Sequence, residues 1–209
     1  MYKVEITDRI YRTGIMAIVR VETNERAEEI ATACINGGVD VLEISFTNNN
    51  ASQVIAYLDK TFGDNILVGA GTVLDSQTAR IAILAGAKFI IAPTFNREVA
   101  VMCNRYQIPY APGCSTYSEM VEALEYGAAF VKVFPVANYF GPGFVSVLKT
   151  PLPNMPILSS GGVTKDNVHE WFVHQVDCIG VGSLLTKGSK EEIEENARFL
   201  CQARDQYRK

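Results

Sequence analysis

The chain has 209 residues, 48% hydrophobic and 20% charged, enough apolar material for one packed domain, and this composition excludes a disordered chain. A net charge of −4 without a basic tract argues against a nucleic acid partner. No apolar run approaches the ~20 residues needed to span a bilayer, so no membrane partner is expected.

In chain order, short apolar runs alternate with amphipathic stretches. Residues 1–13 read as a leading helix; its charged start lacks the apolar core of a signal peptide. A first strand over 15–20 precedes a helix over 24–36, capped by Thr23 or Asn24 and stopped at Gly37-Gly38. Strands then fall at 39–46, 66–70, 89–92, 109–111, around Lys132, at 157–159 and at 178–181. Helices between them are expected at 51–61, 76–85, 96–106, 116–126, 143–149 and 165–173, with a last one over 190–206. Eight βα units in one chain of this length point to a single-domain parallel (β/α)8 TIM barrel with a short N-terminal helix and tight loops. A doubly wound open sheet is the alternative, but no strand is followed by G-x-G-x-x-G.

The most informative stretch is Phe130-Val131-Lys132-Val133-Phe134-Pro135. Side chains alternate along a strand, so Lys132 shares a face with two phenylalanines in a segment that otherwise reads as buried. Of the nine lysines, it alone falls inside a strand. A solvated lysine is protonated and non-nucleophilic at neutral pH, whereas desolvation favours a neutral amine able to attack a carbonyl. The plainer alternative is a lysine that snorkels to the strand end or pairs with a structural acid.

In such a barrel the chemistry gathers where the strands finish. In Val41-Leu42-Glu43-Ile44-Ser45-Phe46, the even positions would pack on helices, leaving Val41, Glu43 and Ser45 pointing inward. An inward Glu43 and an inward Lys132 on separate strands converge in so narrow a barrel. They form either a catalytic couple or a buried structural ion pair, and buried pairs rarely improve stability over apolar replacements. The seventh and eighth strands end in Ser159-Ser160-Gly161-Gly162 and Gly180-Val181-Gly182-Ser183. Bare backbone N–H groups there are the usual phosphate site of this barrel, although each glycine taken singly could be only a tight turn. Arg20 and Thr72 could hold a carboxylate; the alternatives are a solvated arginine and a helix cap. His169 and His174 fall on an outer helix at i,i+5, which counts against a metal-dependent mechanism. Cys34, Cys103, Cys114, Cys178 and Cys201 are scattered without a C-x-x-C pair, which suits free thiols in a reducing cytosol.

Taken in order, Gly37-Gly38-Val39, Leu42-Glu43-Ile44, Val68-Gly69-Ala70-Gly71-Thr72-Val73, Ile108-Pro109, Pro112-Gly113, Lys132-Val133-Phe134-Pro135, Gly161-Gly162-Val163 and Gly182-Ser183 resemble the class I aldolases that cleave 2-keto-3-deoxy-6-phosphogluconate (KDPG) and 4-hydroxy-2-oxoglutarate (KHG). The resemblance covers nearly the whole chain. It implies Lys132 as the Schiff-base lysine and Glu43 as the acid/base. Arg20, Thr72, Pro93, Phe134 and Ser160 would line the substrate pocket, and Gly161, Gly162, Gly182 and Ser183 would hold the distal phosphate. It further implies a small 2-keto acid phosphosugar substrate, no metal and a homotrimer; no cofactor is expected, and the cysteine usage suits a cytoplasmic protein. The chain departs from the family pattern in carrying Thr47 where many members have an arginine four residues after the glutamate. It has Ser159-Ser160 where many have Pro-Thr, Thr94 where a glycine often follows the proline, and Val136-Ala137-Asn138-Tyr139 for a short acidic segment. These departures bear on the aldehyde half of the substrate. The alternatives are a 2-keto-3-deoxy-6-phosphogalactonate (KDPGal) aldolase, a TIM-barrel phosphosugar isomerase or epimerase, and a non-catalytic phosphometabolite-binding protein.

Overall fold

The computed structural model, which describes residues 2–208, is a closed parallel barrel wrapped in helices. Its strands are β1 Ile15–Val19, β2 Val41–Ser45, β3 Leu67–Gly71, β4 Ile90–Ile91, β5 Tyr110–Ala111, β6 Gly113–Cys114, β7 Val131–Val133, β8 Ile157–Ser160 and β9 Cys178–Val181. The hydrogen-bonded order runs β5-β4-β3-β2-β1-β9-β8-β7-β6. β5 and β6 are two halves of the fifth barrel strand, parted at Pro112, which has no N–H to give a neighbour. β5 pairs with β4 and β6 with β7, so the broken strand closes the ring. Across the break, the Pro112 carbonyl still accepts from Lys132 N at 2.8 Å. The expected fifth strand, 109–111, is therefore only the first half.

The helices are α1 Tyr2–Thr13, α2 Asn24–Asn36, α3 Ala51–Phe62, α4 Ser76–Leu84, α5 Arg97–Tyr106, α6 Tyr117–Glu125, α7 Ala137–Phe140, α8 Gly143–Lys149, α9 Val168–Val173, α10 Ser183–Thr186 and α11 Lys190–Asp205. Met1, the first residue of the expected leading helix, lies outside the described residues. The one-turn helices α7 and α10 have no counterpart in the sequence reading, because four residues are too few to show a helical period. Helix starts follow their caps: Thr23 accepts from Arg26 N, Asn96 from Val99 N, and Thr116 and Ser189 form capping boxes with Glu119 and Glu192. The Glu119 carboxylate takes the N–H groups of Thr116 and Ser115, which holds its pKa below the usual carboxylate value. Among the described residues no helix is long and apolar enough to cross a membrane.

Alternation along the strands divides the core into two shells. One lies between sheet and helices and contains Leu42, Ile44, Val131, Val133, Ile157 and Trp171. The other fills the lower barrel with Met16, Val41, Leu67, Phe89, Ile91, Phe130, Leu158 and Cys178. Ile6 and Ile10 of α1 belong to this inner shell, so the leading helix plugs the end where the strands begin. The opposite end stays open.

All five cysteines are free and buried. Burial pushes the thiols of Cys34, Cys103, Cys114 and Cys178 up to about 12, and that of Cys201 also upward. In the unfolded chain a thiol titrates near ~8.5, so the stability that the neutral buried thiols contribute is complete below that pH and is lost as pH rises toward the folded values. We expect a thiol reagent at pH 8 to label the protein only in denaturant. The urea midpoint should fall above about pH 8.5, less steeply in Cys34→Ala, and a reactive thiol in the native protein would contradict this.

Candidate active site

β2 turns Val41, Glu43 and Ser45 into the barrel while Leu42 and Ile44 pack outward, the division that the alternating pattern implies. Glu43 is 2% exposed and stands level with Ile18 of β1 and Gly69 of β3. The space around it is made by two glycines. A Cβ on Gly69 would strike the Phe89 ring at 2.4 Å, and one on Gly71 would lie 1.8 Å from Glu43 Oε1. Gly71 is therefore the seat of the carboxyl group. Oε2 of Glu43 is buried without a hydrogen-bond partner among the described residues, a costly arrangement for a carboxyl group and one that leaves an oxygen free for something not built into the protein.

Lys132 is the central residue of β7, level with Gly113 and Leu158, and 6% exposed. Its Nζ stands 5.1 Å from the centroid of the Phe134 ring and, among the described residues, enters no ion pair. Lys149 shows the contrast: where a lysine is covered for structural reasons it meets a carboxylate, Asp177, at 2.7 Å. Lys132 instead has the Phe134 ring beside its Nζ.

Above this level lies a cleft of about 290 Å³ lined by Arg20, Phe134, Ser160, Gly161, Gly162, Gly182 and Ser183 among others. Phe134 follows β7 and borders both the cleft and Lys132. Gly161 and Gly162 adopt φ of +94° and +74°, conformations that side chains resist, and the turn faces the cleft with bare backbone. Arg20, just past β1, is exposed and stands with these loops. Thr72, just past β3, sits on the other side, where its Oγ1 meets Ser45 Oγ at 3.1 Å. Pro93 follows β4, its carbonyl so close to Gly113 that a Cβ there would lie 2.1 Å away. The residues named from the sequence thus fall into two groups, Lys132, Glu43, Thr72 and Pro93 around the strand ends and Arg20, Phe134, Ser160 and the four phosphate-loop residues around the cleft. His169 and His174 are far from both; His174 caps α9 and its Nδ1 meets Ser146 Oγ on α8.

Three features were not read from the sequence as parts of a site. Gly71 seats the acid, Asn138 of α7 lies against Gly161 with its Oδ1 2.2 Å from where a Cβ would be, and Thr47 and Asn48 join Ser45 in a polar string. Ser45 had a signal in its shared face with Glu43, and Thr47 and Asn138 stand among the departures from the family pattern.

A parallel barrel that carries a buried amine, a buried carboxyl and glycine loops to the C-terminal end of its strands is the frame of a barrel enzyme. Comparison with known proteins specifies which. The family model "Aldolase: KDPG and KHG aldolase" matches residues 6–199. The chain is 33% identical to the 2-dehydro-3-deoxy-phosphogluconate aldolase of Treponema pallidum (strain Nichols), over 82% of this chain and 81% of that protein. It is 32% identical to the 2-dehydro-3-deoxy-6-phosphogalactonate aldolase of Escherichia coli (strain K12), over 88% and 89%. The crystal structure of KDPG aldolase from Legionella pneumophila, with pyruvate captured at low pH as a covalent carbinolamine intermediate, superposes with a TM-score of 0.80 at 26% identity, over 96% of this chain and 97% of that one. The chain belongs to the KDPG and KHG aldolase family and is a carbon–carbon lyase.

The seat of Glu43 can be tested directly. Gly71→Ala should push the carboxyl group from its place and lower kcat about 100-fold, the scale of a 1 Å misplacement of a reacting group. Circular dichroism should show the fold retained, and an unchanged kcat would show that the carboxyl position is not critical.

Proposed function

We propose that the protein is a class I aldolase that cleaves KDPG to pyruvate and glyceraldehyde 3-phosphate, KHG to pyruvate and glyoxylate, or both. The observation that carries this reading is the covered Lys132 on β7, which among the described residues enters no ion pair. Its neutral amine attacks the C2 carbonyl of the 2-keto acid, and the carbinolamine loses water to give an iminium. Glu43, with its free oxygen, takes the proton from the C4 hydroxyl, directly or through a water. The C3–C4 bond breaks, its electron pair passes into the iminium as an enamine, and C4 leaves as the aldehyde. Glu43 returns the proton to C3, and hydrolysis of the new iminium frees pyruvate and the amine.

Thr72 is assigned to the carboxylate end, and Arg20, which stands with the glycine loops, to the far end of the substrate. Ser160 and the backbone of Gly161, Gly162, Gly182 and Ser183 are assigned to the distal phosphate, with Pro93 and Phe134 as walls. The covalent pyruvate adduct of the Legionella pneumophila aldolase supports the lysine chemistry by similarity. The similarity to the Escherichia coli phosphogalactonate aldolase favours one second reading, KDPGal as substrate, differing only in sugar stereochemistry. A homotrimer in the cytosol completes the assignment. The exposed Tyr139 and Phe140 offer apolar surface for contact between copies, and five unpaired cysteines suit a reducing compartment.

Treatment with pyruvate and cyanoborohydride should place one N-(1-carboxyethyl) group on the peptide containing Lys132, and Lys132→Ala should take up none. Pyruvate formed normally with Lys132 unmodified would refute the imine. Pyruvate release from a panel of KDPG, KDPGal and KHG then identifies the substrate. Light scattering should give three times the 23.0 kDa chain mass, and a monomer would remove the trimer from the assignment.

A further inference from the structure

Beside Glu43 and on its face of β2 stands Ser45, fully buried, with its hydroxyl between two others. Ser45 Oγ is 3.0 Å from Thr47 Oγ1 and 3.1 Å from Thr72 Oγ1, and it also lies 3.4 Å from the Thr47 N–H. Thr47 Oγ1 donates to Asn48 Oδ1 at 3.3 Å, while Asn48 Nδ2 donates to the Val21 carbonyl at 2.7 Å. This last bond gives the string a sense. With the Asn48 amide nitrogen committed to Val21, the end that faces Thr47 is an oxygen and can only accept. Each hydroxyl has one proton, so without substrate the protons run Thr72 to Ser45 to Thr47 to Asn48. Thr72 is itself held in an unusual place, at φ +60°, which a β-branched residue seldom adopts.

We infer that Ser45 and Thr47 are positioning residues that turn the Thr72 hydroxyl into the donor recognising the substrate carboxylate, by reversing the proton order of this string. The inference rests on the aldolase reading above. A carboxylate only accepts, so on its arrival Thr72 donates to it, Ser45 donates to Thr72, and Thr47 donates to Ser45. Each change is a rotation about a C–O bond, with no covalent bond made or broken. The bond given up is that from Thr47 to Asn48, the longest of the side-chain bonds in the string and the least costly to lose. A linked donor string strengthens the terminal bond to an anion. Because the string is uncharged, it binds the carboxylate without claiming the free oxygen of Glu43 two residues away.

The test compares pyruvate with pyruvamide, its uncharged analogue, in cyanoborohydride trapping on Lys132. Ser45→Ala should raise the half-saturating pyruvate concentration up to about tenfold, the upper scale of one lost hydrogen bond, here that from Ser45 to Thr72. The dependence on pyruvamide and the final extent of labelling should stay within about twofold. Ser45→Thr should restore the pyruvate value, and Thr47→Val should shift it in the same direction as Ser45→Ala. Thr47 is exposed, so that variant keeps the test open should the buried alanine variant not fold. Equal weakening of both ligands, or none, in a folded variant would show a packing role and overturn the inference. Absence of trapping in the unaltered protein would instead overturn the aldolase reading, and the inference with it.

Discussion

Keeping one amine out of water is the constraint on which the site depends. A lysine side chain has a long apolar stem and ordinarily carries its charge to solvent. Lys132 cannot do so, because it projects into a ring of strands whose lower end is filled by Met16, Phe89, Phe130 and Leu158 and stoppered by Ile6 and Ile10 of the leading helix. Removing water from the amine costs free energy that folding must supply, and a carboxylate partner would reduce that cost while holding the charge in place. The protein leaves both partners incomplete: Lys132 faces an aromatic ring, and Glu43 keeps one oxygen unbonded. Such unsatisfied groups are tolerated where a substrate completes them.

The second feature is the use of absent side chains. A barrel this narrow is ordinarily filled by layers of bulky residues. Here Gly69, Gly71 and Gly113 contribute none, and the volume is taken by Phe89, the carboxyl of Glu43 and the backbone of Pro93. At the mouth, Gly161 and Gly162 serve differently, adopting positive-φ backbone conformations in a bare loop that lines the cleft. Their conformation and the chemistry of a bare loop are the same fact.

Charge is used sparingly around Lys132 and Glu43. The cation at the mouth, Arg20, stands with the glycine loops, whereas the side nearer Glu43 presents the hydroxyls of Ser45, Thr47 and Thr72. A cation placed beside Glu43 would pair with it and occupy the carboxyl group. Hydroxyls can bind an anion and leave the acid free to exchange protons.

Period-two alternation in 41–46 and 130–134 is enough by itself to assign Glu43 and Lys132 to the inner face, and the βα rhythm with its glycine stops specifies the barrel. These features are local: they follow from which face of a strand is apolar and where a chain can turn, and neighbouring residues carry that information. Tertiary structure alone decided that the fifth strand breaks at Pro112 yet still closes the ring, that Gly71 seats a carboxyl from another strand, and that the hydroxyls of two strand ends meet in one string. Each of these joins residues far apart in sequence, and their spacing is determined only when the barrel closes and brings the strands into register.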